Sequence, residues 1–152
     1  MDHKSMSLVA EVRLVYQNHV RPTDRARIQN SRDAYDILKQ IWNNETLELR
    51  EEFKIILLNR ANRVLGYYNL STGGVSGTVA DPKLIFQCAL KANASSLVLA
   101  HNHPSGNLQP SQADIALTRK IKEGGKFLEI QLIDHLIYTT EGYYSFADEG
   151  EL

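Results

Sequence analysis

The sequence predicts one α/β domain, a mixed β-sheet flanked by helices. Two observations carry that expectation. Segments rich in β-branched and aromatic residues (51–59, 63–71, 127–139, 142–146) and a continuous apolar run (95–103) alternate with segments whose apolar residues recur at helical spacing. Turn and cap residues (Asn, Asp, Pro, Gly) fall between them, where elements should begin and end. The chain has 152 residues, 43% of them hydrophobic, enough to bury a core.

Taken in order, "LVAEVRLVY" (8–16) is expected to be a strand from its β-branched and aromatic content. The polar "QNHVRPTDRARIQN" then reads as an exposed connection. Ser31 is expected to cap the helix "RDAYDILKQIWNN", in which Tyr35, Leu38, Ile41 and Trp42 form the buried stripe. "EEFKIILLN" (51–59) and "RVLGYYNLS" (63–71) read as strands joined by a hairpin turn at "NRAN". The glycine-rich "STGGVSGTV" lacks the spacing and the lysine of a phosphate-binding loop and reads as a flexible connection. Asp81-Pro82 pairs an acidic N-cap with proline at the first helical position. It should start a helix running to about Asn93 that buries Leu84, Ile85, Cys88 and Ala89.

"SSLVLAHNH" is continuously apolar before its histidines, as in a strand buried on both faces. "SQADIALTRKIKEGG" reads as a helix ended by Gly124-Gly125. "FLEIQLIDHLIYT" and "GYYSF" close the chain as strands, with a turn at Glu141-Gly142. The expected order is thus β-α-β-β-α-β-α-β-β. Residues 1–45 form an N-terminal extension (strand plus helix) packed on a core domain of residues 46–152.

Composition removes several function classes. Lys and Arg number 17 against 18 Asp and Glu, a formal net charge of −1 without a basic block, so charge gives no support for a nucleic-acid partner. The single cysteine, Cys88, allows neither an internal disulfide nor a cysteine zinc cluster. The N-terminus lacks the pattern of a signal peptide and no segment has the apolar length of a membrane span, so the expectation is a cytoplasmic protein with no membrane partner.

The chemistry concentrates in "HNHPSGNLQPSQAD" (101–114). His101 and His103 stand two apart at the end of an expected strand, so both imidazoles point to one side. Neutral imidazole suits zinc, and Asp114 from the next helix offers a hard oxygen ligand. Three protein ligands and an open position are the pattern of a catalytic zinc. Ser111 and Asp114 also fit a capping box, S-x-x-[DE], which explains both residues without a metal. The two readings are compatible, because a residue fixed by a helix cap is held rigidly enough to be a ligand.

A hydrolase of this kind also needs a carboxylate base. Glu51 shares a strand face with Phe53, Ile55 and Leu57, and Glu52 faces the other way. A carboxylate at the buried end of a strand is expensive without a partner, which a site would supply. His135, mid-strand in "IDHLIY", reads as a structural histidine, with a hydrogen bond to the site as the alternative. His3 and His19 carry no site signal.

The segment 101–114 fits H-x-H-P-x₆-S-x₂-D, which resembles the JAMM (MPN+, or JAB) metalloprotease motif, and the surrounding sequence is closest to the RadC branch. "LVLAHNHPSGNLQPSQADIALTRKI", "LIDHLIYTTEGYYSFADEGEL", "EEFKIILLNRANRVL" and "VADPKLIFQCALKANASS" carry the resemblance in unbroken order from about residue 50 onward. It implies a cytidine-deaminase-like α/β fold and a zinc ion held by His101, His103 and Asp114. It further implies Ser111 as the hydrogen-bond donor to the tetrahedral oxyanion and Glu51 as the base that activates water, with Glu52 as the alternative.

The implied activity is zinc-dependent hydrolysis of a peptide or isopeptide bond, with a peptide or protein as substrate. The rival expectations are a non-catalytic scaffold of the same fold, which would typically lack the ligands, and a DNA-processing factor, which would need a basic face. Many RadC proteins carry a helical DNA-binding-like segment, whereas the residues before Glu51 read as strand, loop and one helix, so a DNA-repair-associated role, with nucleic acid as a partner, stands as the alternative expectation and not the leading one. An open strand edge in a mixed sheet makes a homodimer reasonable.

Overall fold

A computed structural model describes residues 8–74 and 80–152; residues 75–79, within the glycine-rich connection, and His3 lie outside them. Helix α1 (Ser31–Ile41) comes first. Strands β1 (Glu52–Leu58) and β2 (Val64–Thr72) follow, then helix α2 (Pro82–Lys91) and strand β3 (Ser96–His101). Helix α3 (Gln112–Leu128) and strands β4 (Gln131–Tyr138) and β5 (Tyr143–Ser145) complete the chain. The five strands make one mixed sheet in the order β2-β1-β3-β4-β5. All neighbours are antiparallel except β3 and β4, whose parallel pairing is made across the α3 crossover.

Alternation along the strands divides the interior in two. Phe53, Ile55 and Leu57 of β1 and Leu97 and Leu99 of β3 face Ile85, Ala89 and Ile121 of α2 and α3. Ile56, Leu58, Val98, Ala100, Leu136 and Tyr138 face the opposite way, onto Ala34, Tyr35, Leu38 and Trp42 around α1. All six residues of β3 are buried, as its continuous apolar run implies for a central strand covered on both faces. The "NRAN" turn forms as expected: Asn59 N–H donates to Arg63 O at 3.0 Å, and Asn62 takes a left-handed φ of 58°.

Four local expectations are corrected. Residues 8–16 form no strand; Leu8, Val9, Val12 and Leu14 are at least 80% exposed, because β propensity is realised only where a segment pairs with a sheet and buries a face, and this one does neither. The cap of α1 is Asn30, whose side chain accepts Asp33 N–H, and Ser31 is the first helical residue. Leu84 is 44% exposed, because the inward stripe of α2 runs through Ile85 and Ala89, one residue round the helix.

Gly124 and Gly125, finally, do not end α3. The helix continues to Leu128 and stops at Glu129, whose φ is 56°. A Cβ at Gly125 would lie 2.2 Å from Ile130 O, so glycine here permits a close approach instead of a turn.

Candidate metal centre

The site lies where β3 ends, β1 begins and α3 starts. Phe53 pairs directly with His101 across β1 and β3. That register places Glu51, two residues before Phe53, beside the end of β3 and on the same face. His101 ends β3 with its side chain fully buried, and His103 follows at the start of the loop with a side chain 17% exposed. His103 Nδ1–H donates to Asn107 O at 2.7 Å, so its Nε2 lone pair faces inward. The positive φ of Gly106 (77°) lets the loop turn tightly, with Gly106 N–H on His103 O.

Helix α3 then delivers Asp114. The capping box is complete: Asp114 N–H donates to Ser111 Oγ at 3.0 Å, and Ser111 N–H donates back to Asp114 Oδ2 at 2.8 Å. Oδ2 also lies 3.2 Å from His103 Nε2 and 3.3 Å from His101 Nε2, and the two Nε2 atoms are 2.9 Å apart. Burial pushes the Asp114 carboxyl up, yet its close contacts with the His101 and His103 rings and the Ser111 N–H outweigh it and hold the group well below the usual carboxylate range. The Asp114 carboxylate in turn favours the protonated His103 ring and, against the opposing effect of burial, raises its pKa.

Glu51 Oε1 stands 3.9 Å from His101 Nε2, with its side chain only 11% exposed. Its backbone is pinned by Gly73 N–H on Glu51 O and by Glu51 N–H on Gly74 O. Glu52 points elsewhere and pairs with Arg50 at 3.2 Å and Lys54 at 3.4 Å. Of the two candidate carboxylates, then, Glu51 faces the cluster. Among the described residues, Glu51, His101, His103 and Asp114 offer one ligand atom each, all within 4.8 Å of one another.

The donor set fits a cation. Two imidazole nitrogens and a carboxylate oxygen form a triangle with sides of 2.9, 3.2 and 3.3 Å. A tetrahedral ion with bonds of about 2.0–2.2 Å spaces its donors by about 3.3–3.6 Å. Small contraction apart, the triangle is already that face. A cavity of about 1020 Å³ lies at the other end of the sheet, lined by Arg60, Ser96, Lys122 and Gln131 among others, and contains none of these residues.

Comparison with known proteins decides the family. The RadC-like JAB domain model matches residues 28–151. The chain belongs to the RadC-like JAB domain family. A UPF0758 protein of Flavobacterium johnsoniae is 41% identical over 148 residues, covering 97% of this chain and 63% of that protein. One from Porphyromonas gingivalis is 43% identical over 129 residues, covering 84% of this chain and 56% of its own length. The chain thus spans about three-fifths of the relatives it matches. Its α/β architecture, among the described residues a five-stranded mixed sheet with three α-helices, is that of a JAB/MPN-like fold. No helix among the described residues is long and apolar enough to cross a membrane.

Sequence reasoning missed two residues beside this RadC-like centre. Asn102, fully buried, turns away from the site and ties down the segment before β1. Its Nδ2 donates to Leu47 O and Arg50 O, and its Oδ1 accepts Glu52 N–H, all within 3.0 Å. Thr118, four residues after Asp114, donates its hydroxyl to Asp114 O at 2.7 Å and contacts His135. The signal for Thr118 was the i,i+4 spacing on α3; for Asn102 it was a polar residue between two inward-facing ones at the end of a buried strand.

Proposed function

We propose that this chain is a zinc-dependent hydrolase that cuts a peptide or isopeptide bond. The observation that supports this most is the triangle of His101 Nε2, His103 Nε2 and Asp114 Oδ2 with the Glu51 carboxylate beside it. Two imidazoles and one carboxylate are a zinc donor set with room for substrate. Bound there, zinc would supply Lewis acidity and lower the pKa of water toward neutrality.

The chain's own groups do the rest. Glu51, held at the mouth of the cluster by its backbone bonds to Gly73 and Gly74, takes the proton of the attacking water and returns it to the leaving nitrogen. Ser111 caps α3 with an oxygen lone pair, which leaves its hydroxyl proton for the oxyanion of the tetrahedral intermediate. The substrate is a peptide or protein.

Elemental analysis of protein purified without chelator tests the reading, comparing the native chain with Asp114→Ala. The expected result is about one zinc per chain, lost in the variant. No metal in either protein overturns the proposal, and iron in place of zinc overturns the zinc assignment. Glu51→Gln should retain the metal and lose peptide-bond cleavage.

A further inference from the structure

His135 lies outside the ligand triangle, yet it is fully buried on β4 and hydrogen-bonded on both ring nitrogens. Its Nε2 is 2.8 Å from His101 Nδ1, and its Nδ1 is 2.7 Å from Thr118 Oγ1. Phe146 stacks on its ring at 4.8 Å and 10°, and Phe53 stacks on the His101 ring at 5.6 Å and 3°. The two imidazoles are therefore held in one orientation by aromatic walls.

The direction of the hydrogen bonds follows from the far end of the row. Thr118 Oγ1 lies 2.7 Å from Asp114 O, a carbonyl that can only accept, so the single hydroxyl proton of Thr118 is spent there. Thr118 Oγ1 must then accept from His135 Nδ1–H. A neutral His135 is left with a lone pair on Nε2, which accepts His101 Nδ1–H. His101 in turn presents a lone pair on Nε2 to the triangle.

We propose that Thr118 and His135 are positioning residues that fix the tautomer of His101, so that its Nε2 enters the cluster as a ready-made metal donor. The row starts and finishes at the ligand set: it runs from His101 through His135 and Thr118 to the backbone of Asp114. The orientation of one ligand is thereby coupled to the first turn of the helix that carries another. Outer partners of this kind typically change metal affinity 10–100-fold when removed. The consequence for metal binding rests on the function proposed above; the tautomer assignment does not.

The test has two arms. In metal-free protein at about pH 8.5, above ordinary histidine titration, nitrogen-15 NMR of the imidazoles should show His135 and His101 both protonated at Nδ1. An Nε2–H tautomer at His135 overturns the proposal, whether or not the protein binds metal. In the second arm, zinc affinity is measured by chelator competition. His135→Phe should bind zinc about 10–100-fold more weakly, and His135→Gln, whose amide oxygen accepts His101 Nδ1–H, should recover most of that loss. Thr118→Val, close in shape to threonine, covers the case in which His135→Phe fails to fold and should weaken binding in the same direction. Native affinity in a folded His135→Phe or in Thr118→Val overturns the proposal; absence of zinc binding in the native chain overturns the proposed function and leaves the NMR result standing.

Discussion

Ser111 and Asp114 hold each other reciprocally, and the Asp114 oxygen that accepts Ser111 N–H at 2.8 Å is the one that faces both histidines. The cap and the cluster share an atom. A helix start is therefore part of the site's geometry, and weakening one should loosen the other.

Substitutions at Ser111 can separate the two roles. Ser111→Ala should cost about 0.5–2 kcal/mol of stability, whereas glycine at an N-cap costs only a few tenths. Ser111→Gly should therefore melt close to the native protein while cleaving about 10²–10³-fold more slowly, the usual loss for a missing oxyanion donor. Denaturant unfolding beside steady-state kinetics checks both halves, and near-native turnover in Ser111→Gly would remove Ser111 from the chemistry.

The two glutamates should separate as cleanly. Glu52→Gln removes the pairing with Arg50 and with the buried Lys54 and is expected to leave cleavage within a few-fold of native, while costing more stability than loss of an exposed pair, because the Lys54 ammonium loses a charged partner. Kinetics on Glu52→Gln and Glu51→Gln side by side decide the matter, since a dead Glu52→Gln with an active Glu51→Gln would reverse their roles.

The glycines of α3 make a pair of opposite expectations. Gly125→Ala drives a methyl into the Ile130 carbonyl, a backbone atom that cannot step aside, and should destabilise by about 2–3 kcal/mol. Gly124→Ala meets only the Phe86 ring at 2.9 Å, and the helix-propensity gain of alanine, about 1 kcal/mol, offsets much of the contact. Urea midpoints of the two variants should differ accordingly.

Stability should depend on pH through His135. Burial first, and then the charge of His101, pushes its pKa well below the ordinary 6.5; Asp114 pulls the other way, and His103 adds to the lowering. Below about pH 6.5 the unfolded chain binds a proton that folded His135 refuses, so this group makes stability fall as pH falls. His103 has the opposite sign: its raised pKa contributes stability that is full below 6.5 and is lost as pH rises through the folded value. Urea titrations of metal-free protein between about pH 5 and 8 should show an acid-side loss that is smaller in His135→Phe. An identical acid limb in that variant would contradict the assignment.

Much of this arrangement was legible because strand and helix periods are strict. The alternation of Phe53, Ile55 and Leu57 was enough to put Glu51 on the inner face, and the Asp81-Pro82 start of α2 rests on local stereochemistry alone. What escaped depended on distant partners. The 8–16 segment has a strand's composition and yet forms no ladder with the open edge of β2, which it meets through Tyr16, and Gly125 has a terminator's identity in a place where the Ile130 carbonyl needs the space of its missing side chain. His135 likewise became informative only when β4 lay parallel to β3 and brought it opposite Leu99, next to His101 in space.

Asn102 gives the H-x-H spacing a content beyond geometry. The middle residue holds the backbone of Leu47, Arg50 and Glu52 on the outer side while its neighbours project inward, so the ligands and the Glu51 carboxylate hang from one joint. Mechanically they form a single hinge point: loss of the Asn102 amide frees two carbonyls and one N–H ahead of β1 at once, whereas changes elsewhere in the loop leave the tie between base and ligands in place.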